Sequence, residues 1–398
     1  MSDPAGAPDP ASAPLARARE LVEDLDFKHV TSWKAEHPGA LVVGHLPIYV
    51  PRPVFEAMGC LPVTIFGGGD QLDVVRGDSF FQSYICHLPR STVELGLRGS
   101  LDAFDAYVFP STCDVIRNLS GMWKMLFPTK AVSYLDMPQN FSPDLGGRFY
   151  AGELRRVAAM LVGCGAKPLT SEALAKAIVR ENERQALLDE LQALRTKEPW
   201  RIRASEAYLA TRAGTQLPAA DHSVLLRELL AGFRERPAHA YDNARVVVIG
   251  SFCEQPPFGL IRTLEQSGCD IVVDDFQLGL TAISGPVALR DGEDPLDSLV
   301  RAFLVQGTPT ACRYVGNAPK GEALLTQIRT HRADGVVFLA ASFCDPALLD
   351  QPMLEKALDG AQIPYTSVKF SENTAQFQPV REQAGAFGDS LKLWGGQR

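Results

Sequence analysis

The sequence predicts an α/β protein with two doubly wound, parallel-sheet lobes of the Rossmann-like kind and additional helical segments. The chain has 398 residues, of which 46% are hydrophobic, and this length exceeds what a single core usually holds. Short apolar runs alternate with helix-like stretches toward both ends of the chain, and such alternation is typical of parallel sheets. The middle of the chain has helical periodicity alone.

The first lobe is predicted at residues 39–146. Four short apolar runs predict its strands, and they lie in the segments ALVVGHL, CLPVTIF, AYVFPST and KAVSYLD. Stretches with helical spacing, such as VIRNLSGMWKMLF, separate these runs. Residues 1–38 precede this lobe and are predicted to form a disordered tip, rich in Pro and Ala, followed by a helix.

A helical segment is predicted at residues 147–240, because its apolar residues recur at three- and four-residue steps. The second lobe is predicted at residues 241–398, where four more strands lie in ARVVVIG, CDIVVDDF, DGVVFLAA and PYTSVKF. An amphipathic helix, REQAGAFGDSLKLWG, closes this lobe. Ligands of open α/β sheets bind outside the carboxyl ends of the strands, so we expect the functional site in the cleft between the lobes.

Composition and charge exclude several classes of function. The net charge is −8 and the pI is near 5.5, with Lys and Arg scattered, so no nucleic-acid partner is expected. No apolar run approaches the roughly 20 residues of a membrane span, and the start lacks the features of a signal peptide, so we expect a cytoplasmic protein. Neither GxxxxGK[ST] nor a strand-linked GxGxxG occurs, so no ATP or NAD site is expected on this chain.

The eight cysteines carry the most chemical information. None is spaced as CxxC, CxxxxC or CxxH, which excludes the zinc finger, the bacterial ferredoxin run and the thioredoxin motif. Cys113, Cys253 and Cys344 share one setting, at the end of a predicted strand, two residues after a serine and directly before an acid. A helix is predicted to follow each, and we expect its N-terminal amides to lower the thiol pKa.

Cys86 is a fourth candidate ligand, because Ser91 or Thr92 can cap a helix that follows it. Soft thiolates without histidine spacing favour an iron–sulfur cluster over zinc. For any one of these cysteines, a small residue in a tight turn is a competing interpretation. The other four cysteines are predicted to be packed core thiols: Cys60, Cys164, Cys269 and Cys312.

Two histidines and three acids are further candidates for the site. His87, next to Cys86, and His45, at the end of the first strand, are candidate proton donors or hydrogen-bond partners, and a structural role competes with both. The acids that follow the strand-end cysteines are either acids of the crevice or helix caps, and we favour caps. These acids are Asp114, Glu254 and Asp345.

The segments VVGHLPIYVPRPVFEAMGCLPV, YICHLPRSTVELGL, AYVFPSTCDVIRNL and GVVFLAASFCDP resemble the 2-hydroxyacyl-CoA dehydratase superfamily. The resemblance covers nearly all of the chain past residue 20. Within the superfamily, SFCEQPP and IRNLSGMWKMLFP look most like the smaller cluster-bearing subunit of ATP-dependent, class I benzoyl-CoA reductases.

The resemblance implies a set of cluster ligands. In this family each of two related subunits holds a [4Fe–4S] cluster on three cysteines, which leaves one iron open to another ligand. The matching positions are Cys86, Cys113 and Cys344. Cys253 lies at a strand end where, as far as the resemblance goes, many dehydratases have no cysteine. It is either an additional or exchanged ligand, or a reductase feature that packs or hydrogen-bonds beside the cluster, and we favour the second interpretation.

The resemblance also implies an activity and partners. The activity is the ATP-driven, two-electron dearomatisation of benzoyl-CoA in anaerobic aromatic degradation, with electrons derived from ferredoxin. The implied partners are a paralogous cluster-bearing sister subunit, ATPase activator subunits with their own [4Fe–4S] cluster, and the acyl-CoA substrate. Two alternatives stay open: a 2-hydroxyacyl-CoA dehydratase subunit that eliminates water by a radical route, and a non-catalytic α/β scaffold with buried thiols.

Overall fold

Two four-stranded parallel sheets form the frame of the molecule. The computed structural model describes residues 9–276, 278–313, 320–371 and 377–395. The strands are β1 (Val42–His45), β2 (Leu61–Thr64), β3 (Ala106–Pro110), β4 (Ala131–Leu135), β5 (Ala244–Ile249), β6 (Cys269–Asp274), β7 (Gly335–Ala341) and β8 (Tyr365–Phe370). Their order is β2-β1-β3-β4 in the first sheet and β6-β5-β7-β8 in the second. The predicted fold of two doubly wound lobes is therefore confirmed, and both sheets have the same topology.

Helices connect the strands and fill the middle of the chain. They are α1 (Ser12–Glu23), α2 (Lys28–Glu36), α3 (Arg52–Ala57), α4 (His87–Arg98), α5 (Asp114–Leu126), α6 (Arg148–Gly163), α7 (Ser171–Lys197), α8 (Ala204–Ala213), α9 (Ala219–Glu235), α10 (Phe258–Gln266), α11 (Pro295–Gln306), α12 (Glu322–His331), α13 (Asp345–Gly360) and α14 (Gln378–Gly395). None of the described helices combines the length and apolar character that a bilayer crossing needs.

The central strands have continuous apolar sequences because they are buried. Every residue of β1, β3 and β7 is buried, as expected when helices cover both faces of a parallel sheet. Helices α5 and α6 contact the first sheet, while α10 and α14 contact the second. The strand ends, where the chain turns into the next helix, are therefore held in place by a rigid layer on each side.

A second core belongs to the helical middle of the chain. It contains buried Leu188, Leu226, Leu229 and Phe233 from α7 and α9, together with Ala18 from α1. Helix α1 thus packs on the helices of the middle segment, although it comes first in the chain. The tip predicted to be disordered lies mostly outside the described residues, and the predicted segment limits remain predictions.

A buried arginine joins the first lobe to this helical segment. Arg52, the first residue of α3, has 2% of its surface exposed, and it donates hydrogen bonds to the carbonyls of Pro62 (3.0 Å), Thr215 (3.3 Å) and Leu217 (2.7 Å). Burial lowers its pKa to about 10, so the guanidinium keeps its charge at neutral pH. Glu56, one helical turn further on, provides nearby opposite charge.

His222 in α9 is a buried, neutral histidine. Its Nε2 donates to the carbonyl of Ala210 at 2.9 Å, and its ring packs on Gly214, where an added Cβ would lie 2.1 Å from Nδ1. Burial, and then the charge of Arg184, lower its pKa from 6.5 to about 3. In the folded chain this histidine therefore binds a proton only near pH 3, whereas in the unfolded chain it binds one near pH 6.5.

This difference predicts a loss of stability in mild acid. Because the folded pKa is depressed, the contribution of His222 is present above about pH 6.5 and is lost as the pH falls below it, at a cost of about 2 kcal/mol between about pH 7 and pH 5. His222→Gln keeps a donor for the Ala210 carbonyl and cannot charge, so its urea midpoint should fall less over this range than that of the wild type. The exposed His239→Gln variant is the control, and equal losses in all three proteins would contradict the assignment.

Candidate metal centre

Cys113 and Cys344 occupy matching places in the two lobes. Strands β3 and β7 hold the same position in their sheets, and each cysteine follows the last residue of its strand, Pro110 or Ala341, by three residues. Each is also the residue directly before a helix, since α5 begins at Asp114 and α13 begins at Asp345. Both thiols therefore lie at the carboxyl end of a central strand, where α/β sheets bind ligands.

Cys86 likewise stands directly before a helix, α4. The caps that we predicted for this helix are wrong: Ser91 and Thr92 lie inside it, and their hydroxyls donate to the carbonyls of the preceding turn. The carboxylate of Glu254 from the second lobe accepts a hydrogen bond from the amide of Leu88 instead, at 3.1 Å. This bond brings the beginning of α4 next to the segment that contains Cys253.

The turn that contains Cys253 is held by its own hydrogen bonds. The amides of Gly250 and Ser251 donate to the carboxylate of Asp275 at 2.7 and 3.0 Å, and the hydroxyl of Ser251 donates to the carbonyl of Leu339 in β7. Cys253 itself is 7% exposed. The helix predicted directly after it begins later, at residue 258, so Cys253 differs from the other three cysteines in its distance from a helix start.

These four thiols are close enough to influence one another's charge. Burial is the main cause that raises the pKa of Cys253, and the nearby Cys344, Cys113 and Cys86 raise this pKa further. The pKa of Cys86 is raised by burial, then by Glu254, Cys344 and Cys113. The structure thus brings together thiols from both sheets and from α4, although they are far apart in the sequence.

Our expectation of lowered thiol pKa values is wrong. Burial raises the pKa of Cys113, although the amides of Val115 and Ile116 lower it. Burial likewise raises the pKa of Cys344 to about 12, although the amide of Ala347 lowers it. Desolvation outweighs the helix amides here. Buried charge requires a partner, and a coordinating metal deprotonates a thiol outright, so a bound cation would remove the penalty of forming thiolates.

The donor set fits an iron–sulfur cluster. Among the residues that the structure describes, no three His, Cys, Asp or Glu side chains are arranged to hold a single metal ion. In a cluster, each cysteine binds a different iron, so its sulfur ligands stand farther apart than the ligands of one ion. Thiols are also the soft donors that such clusters use.

A fifth thiol lies beside this group. The thiol of Cys312 donates to the carbonyl of Thr112 at 3.1 Å. Burial is the main cause that raises the pKa of Cys312, and Cys113 and Cys344 raise it further. From the sequence, Cys312 was predicted to be a packed core thiol. The sequence does not show that a loop of the second lobe brings this residue into contact with the first lobe. Tyr49 helps to hold that loop, since its hydroxyl donates to the carbonyl of Thr308 at 2.9 Å.

The two candidate histidines differ in their surroundings. His45 is buried, its Nδ1 donates to the carbonyl of Leu46 at 3.1 Å, and its Nε2 accepts from the hydroxyl of Thr64 at 3.2 Å. Burial, and then the charge of Arg52, lower its pKa to about 3. These contacts favour a structural role for His45. His87, the first residue of α4, remains a predicted proton donor.

A cavity opens beside His87, where α1, both lobes and the helical segment meet. The guanidinium of Arg212 lies 5.1 Å from the ring centre of Phe66 and 5.6 Å from that of Tyr208. The cavity therefore combines apolar rings with a cation and a carboxylate close to Cys86. Its lining includes Phe66, His87, Tyr208, Arg212, Glu254 and Phe258.

Comparisons with known proteins cover nearly the whole chain. The family model for 2-hydroxyglutaryl-CoA dehydratase, D-component, matches residues 47–391. One subunit of the benzoyl-CoA reductase of Thauera aromatica is 46% identical over 381 residues, which are 96% of this chain and 98% of the relative. The beta subunit of (R)-2-hydroxyglutaryl-CoA dehydratase from Acidaminococcus fermentans is 26% identical, over 91% of this chain and 95% of its own. The beta subunit of (R)-phenyllactyl-CoA dehydratase from Clostridium sporogenes is 22% identical, over 89% and 93%.

Proposed function

Because the chain belongs to the 2-hydroxyglutaryl-CoA dehydratase D-component family, whose members here are subunits of reductases and dehydratases, we propose that it is the [4Fe–4S]-bearing subunit of an ATP-dependent benzoyl-CoA reductase. The observation that carries this proposal is the 46% identity to the Thauera aromatica reductase subunit over nearly the full length of both chains. The grouping of thiols from both lobes supports it. The setting that we propose is cytoplasmic and anaerobic.

Cys86, Cys113 and Cys344 would hold the cluster, which supplies low-potential single-electron transfer when bound. Each of these residues precedes a helix, so its backbone position is set by a rigid element. The cavity next to Cys86 would exclude water from an acyl-CoA thioester through its apolar rings, and His87 would hold a proton at its edge. The reaction is the two-electron dearomatisation of benzoyl-CoA to a cyclohexadiene carbonyl-CoA.

The proposal includes further subunits. A paralogous, cluster-bearing sister subunit is supported by the relatives, which are themselves named as single subunits of larger enzymes. Electrons from ferredoxin would arrive through ATPase activator subunits with their own [4Fe–4S] cluster, because an aromatic ring accepts an electron only at very low potential. This division of labour agrees with the lack of a phosphate-loop motif in this chain.

Stoichiometry tests the proposed reaction. The chain, co-expressed with its sister and activator subunits, should reduce an aromatic thioester from a panel of CoA thioesters and consume ATP and two electrons per turnover. The second candidate is a 2-hydroxyacyl-CoA dehydratase subunit, which the family model and two of the relatives favour. Turnover of a 2-hydroxyacyl-CoA with only catalytic amounts of reductant would replace the first candidate by the second. An anaerobically purified protein without iron or acid-labile sulfide would instead support the scaffold alternative.

A further inference from the structure

The sequence alone favoured a packing or hydrogen-bonding role for Cys253, but from the structure we propose that Cys253 is a fourth thiolate ligand of the cluster, so that this chain leaves no iron open to substrate or solvent. This inference rests on the proposed function, because it assumes a cluster on Cys86, Cys113 and Cys344. It goes further, since it assigns this chain the transfer of electrons and excludes direct binding of the acyl group to its iron.

The position of Cys253 at the sheet edge is the first argument. Strands β5 and β7 are neighbours, and Ile249 at the end of β5 pairs with Phe338. The carboxyl ends of parallel neighbours meet at one edge of the sheet, so the segments after them, with Cys253 and Cys344, lie side by side. Both cysteines belong to the same buried core, and Cys113 packs against that core.

The second argument is the contact across the lobes. Glu254 follows Cys253 in the chain, and its carboxylate accepts the amide hydrogen of Leu88, two residues after Cys86. Glu254 also acts electrostatically on both Cys86 and Cys344. The hydrogen bond to Leu88 thus places the turn that contains Cys253 next to the start of α4, where Cys86 lies.

The third argument is that the thiol of Cys253 is uncommitted. Three other cysteines donate to backbone carbonyls: Cys60 to Met58, Cys269 to Ala384 and Cys312 to Thr112. The thiol of Cys253 donates no hydrogen bond within the described part of the chain, although it is buried and its turn is fixed by Asp275. A buried sulfur that makes no hydrogen bond in the described part of the chain, in a turn that Asp275 holds, is available as a fourth ligand.

Cys312 is the matched control. It is also close to Cys113 and Cys344, but its hydrogen bond to the carbonyl of Thr112 occupies its thiol. The same substitution at the two positions therefore compares a thiol that makes no hydrogen bond in the described part of the chain with one that does.

Mild oxidation distinguishes three ligands from four. A cluster with one open iron, [4Fe–4S]²⁺, loses Fe²⁺ and one electron to an oxidant such as ferricyanide and becomes [3Fe–4S]⁺, which has a characteristic EPR signal. A cysteine bound to the fourth iron retains that iron. The full chain is loaded anaerobically with iron and sulfide and treated with one equivalent of ferricyanide, as the wild type, Cys253→Ala and Cys312→Ala.

We expect about four irons per wild-type chain and little three-iron signal in the wild type and in Cys312→Ala. Cys253→Ala should give a several-fold larger three-iron signal. A wild-type chain that binds iron but converts readily to the three-iron form would overturn this inference alone, whether or not the variants fold. A wild-type chain that binds no iron would overturn the proposed function as well.

Discussion

Serine in place of Cys86, Cys113 or Cys344 should deplete the iron of the anaerobically purified protein. Each substitution removes one ligand of the proposed cluster, and we expect cluster affinity to fall at least about tenfold, since changes beside metal ligands alone cost that much. Iron and acid-labile sulfide per chain measure the effect. The readout is independent of turnover, so it does not depend on the identity of the acyl group.

Cys164→Ser is the control for this series. Cys164 is half-buried directly after the end of α6, and it is not one of the proposed ligands. The control should keep the iron content of the wild type. Equal retention of iron in all four variants would remove these three cysteines as ligands and leave the proposed cluster without its site.

Arg52→Met should strongly destabilise the folded chain. The substitution takes the donor away from three carbonyls and removes a positive charge that lowers the pKa of the buried Glu56. Each buried acceptor that is left without its donor costs about 1 to 3 kcal/mol. Urea denaturation followed by tryptophan fluorescence should give a correspondingly lower midpoint, with the loss located between the first lobe and the loop after α8.

An exposed arginine provides the matched control for this substitution. Arg227 in α9 pairs with Glu183 at the surface, where ion pairs contribute about 1 kcal/mol or less. Arg227→Met should therefore leave the denaturation midpoint almost unchanged. If both variants lose the same stability, the hydrogen bonds of Arg52 are not what joins the lobe to the helical segment.

The sequence allowed the fold and the strand ends to be predicted because both depend on local pattern. Buried parallel strands are short apolar runs, and the residues that follow them, such as Cys113 and Cys344, lie at one edge of each sheet whatever the details of packing. The repeated Ser-x-Cys-acid setting therefore identified cysteines that follow strand ends in both sheets.

Features that depend on distant contacts could not be predicted in this way. The cap on α4 comes from Glu254 in the other lobe, so the nearby Ser91 and Thr92 were misleading. The thiol pKa values are raised because burial, which depends on the assembled lobes, outweighs the local helix amides. Cys312 reaches Thr112 through a loop between lobes, and no sequence pattern encodes that approach.

The matching places of Cys113 and Cys344 have a consequence for the folding of the whole chain. A single inorganic group bound to both would act as a cross-link that encloses the entire helical segment in one covalent ring. The entropy of closing a ring grows only slowly with its length, and metal-binding energy becomes folding energy when the site exists only in the folded state. Loss of iron should therefore make α7 and α9 more accessible to proteases, although neither helix contributes a cysteine to the site.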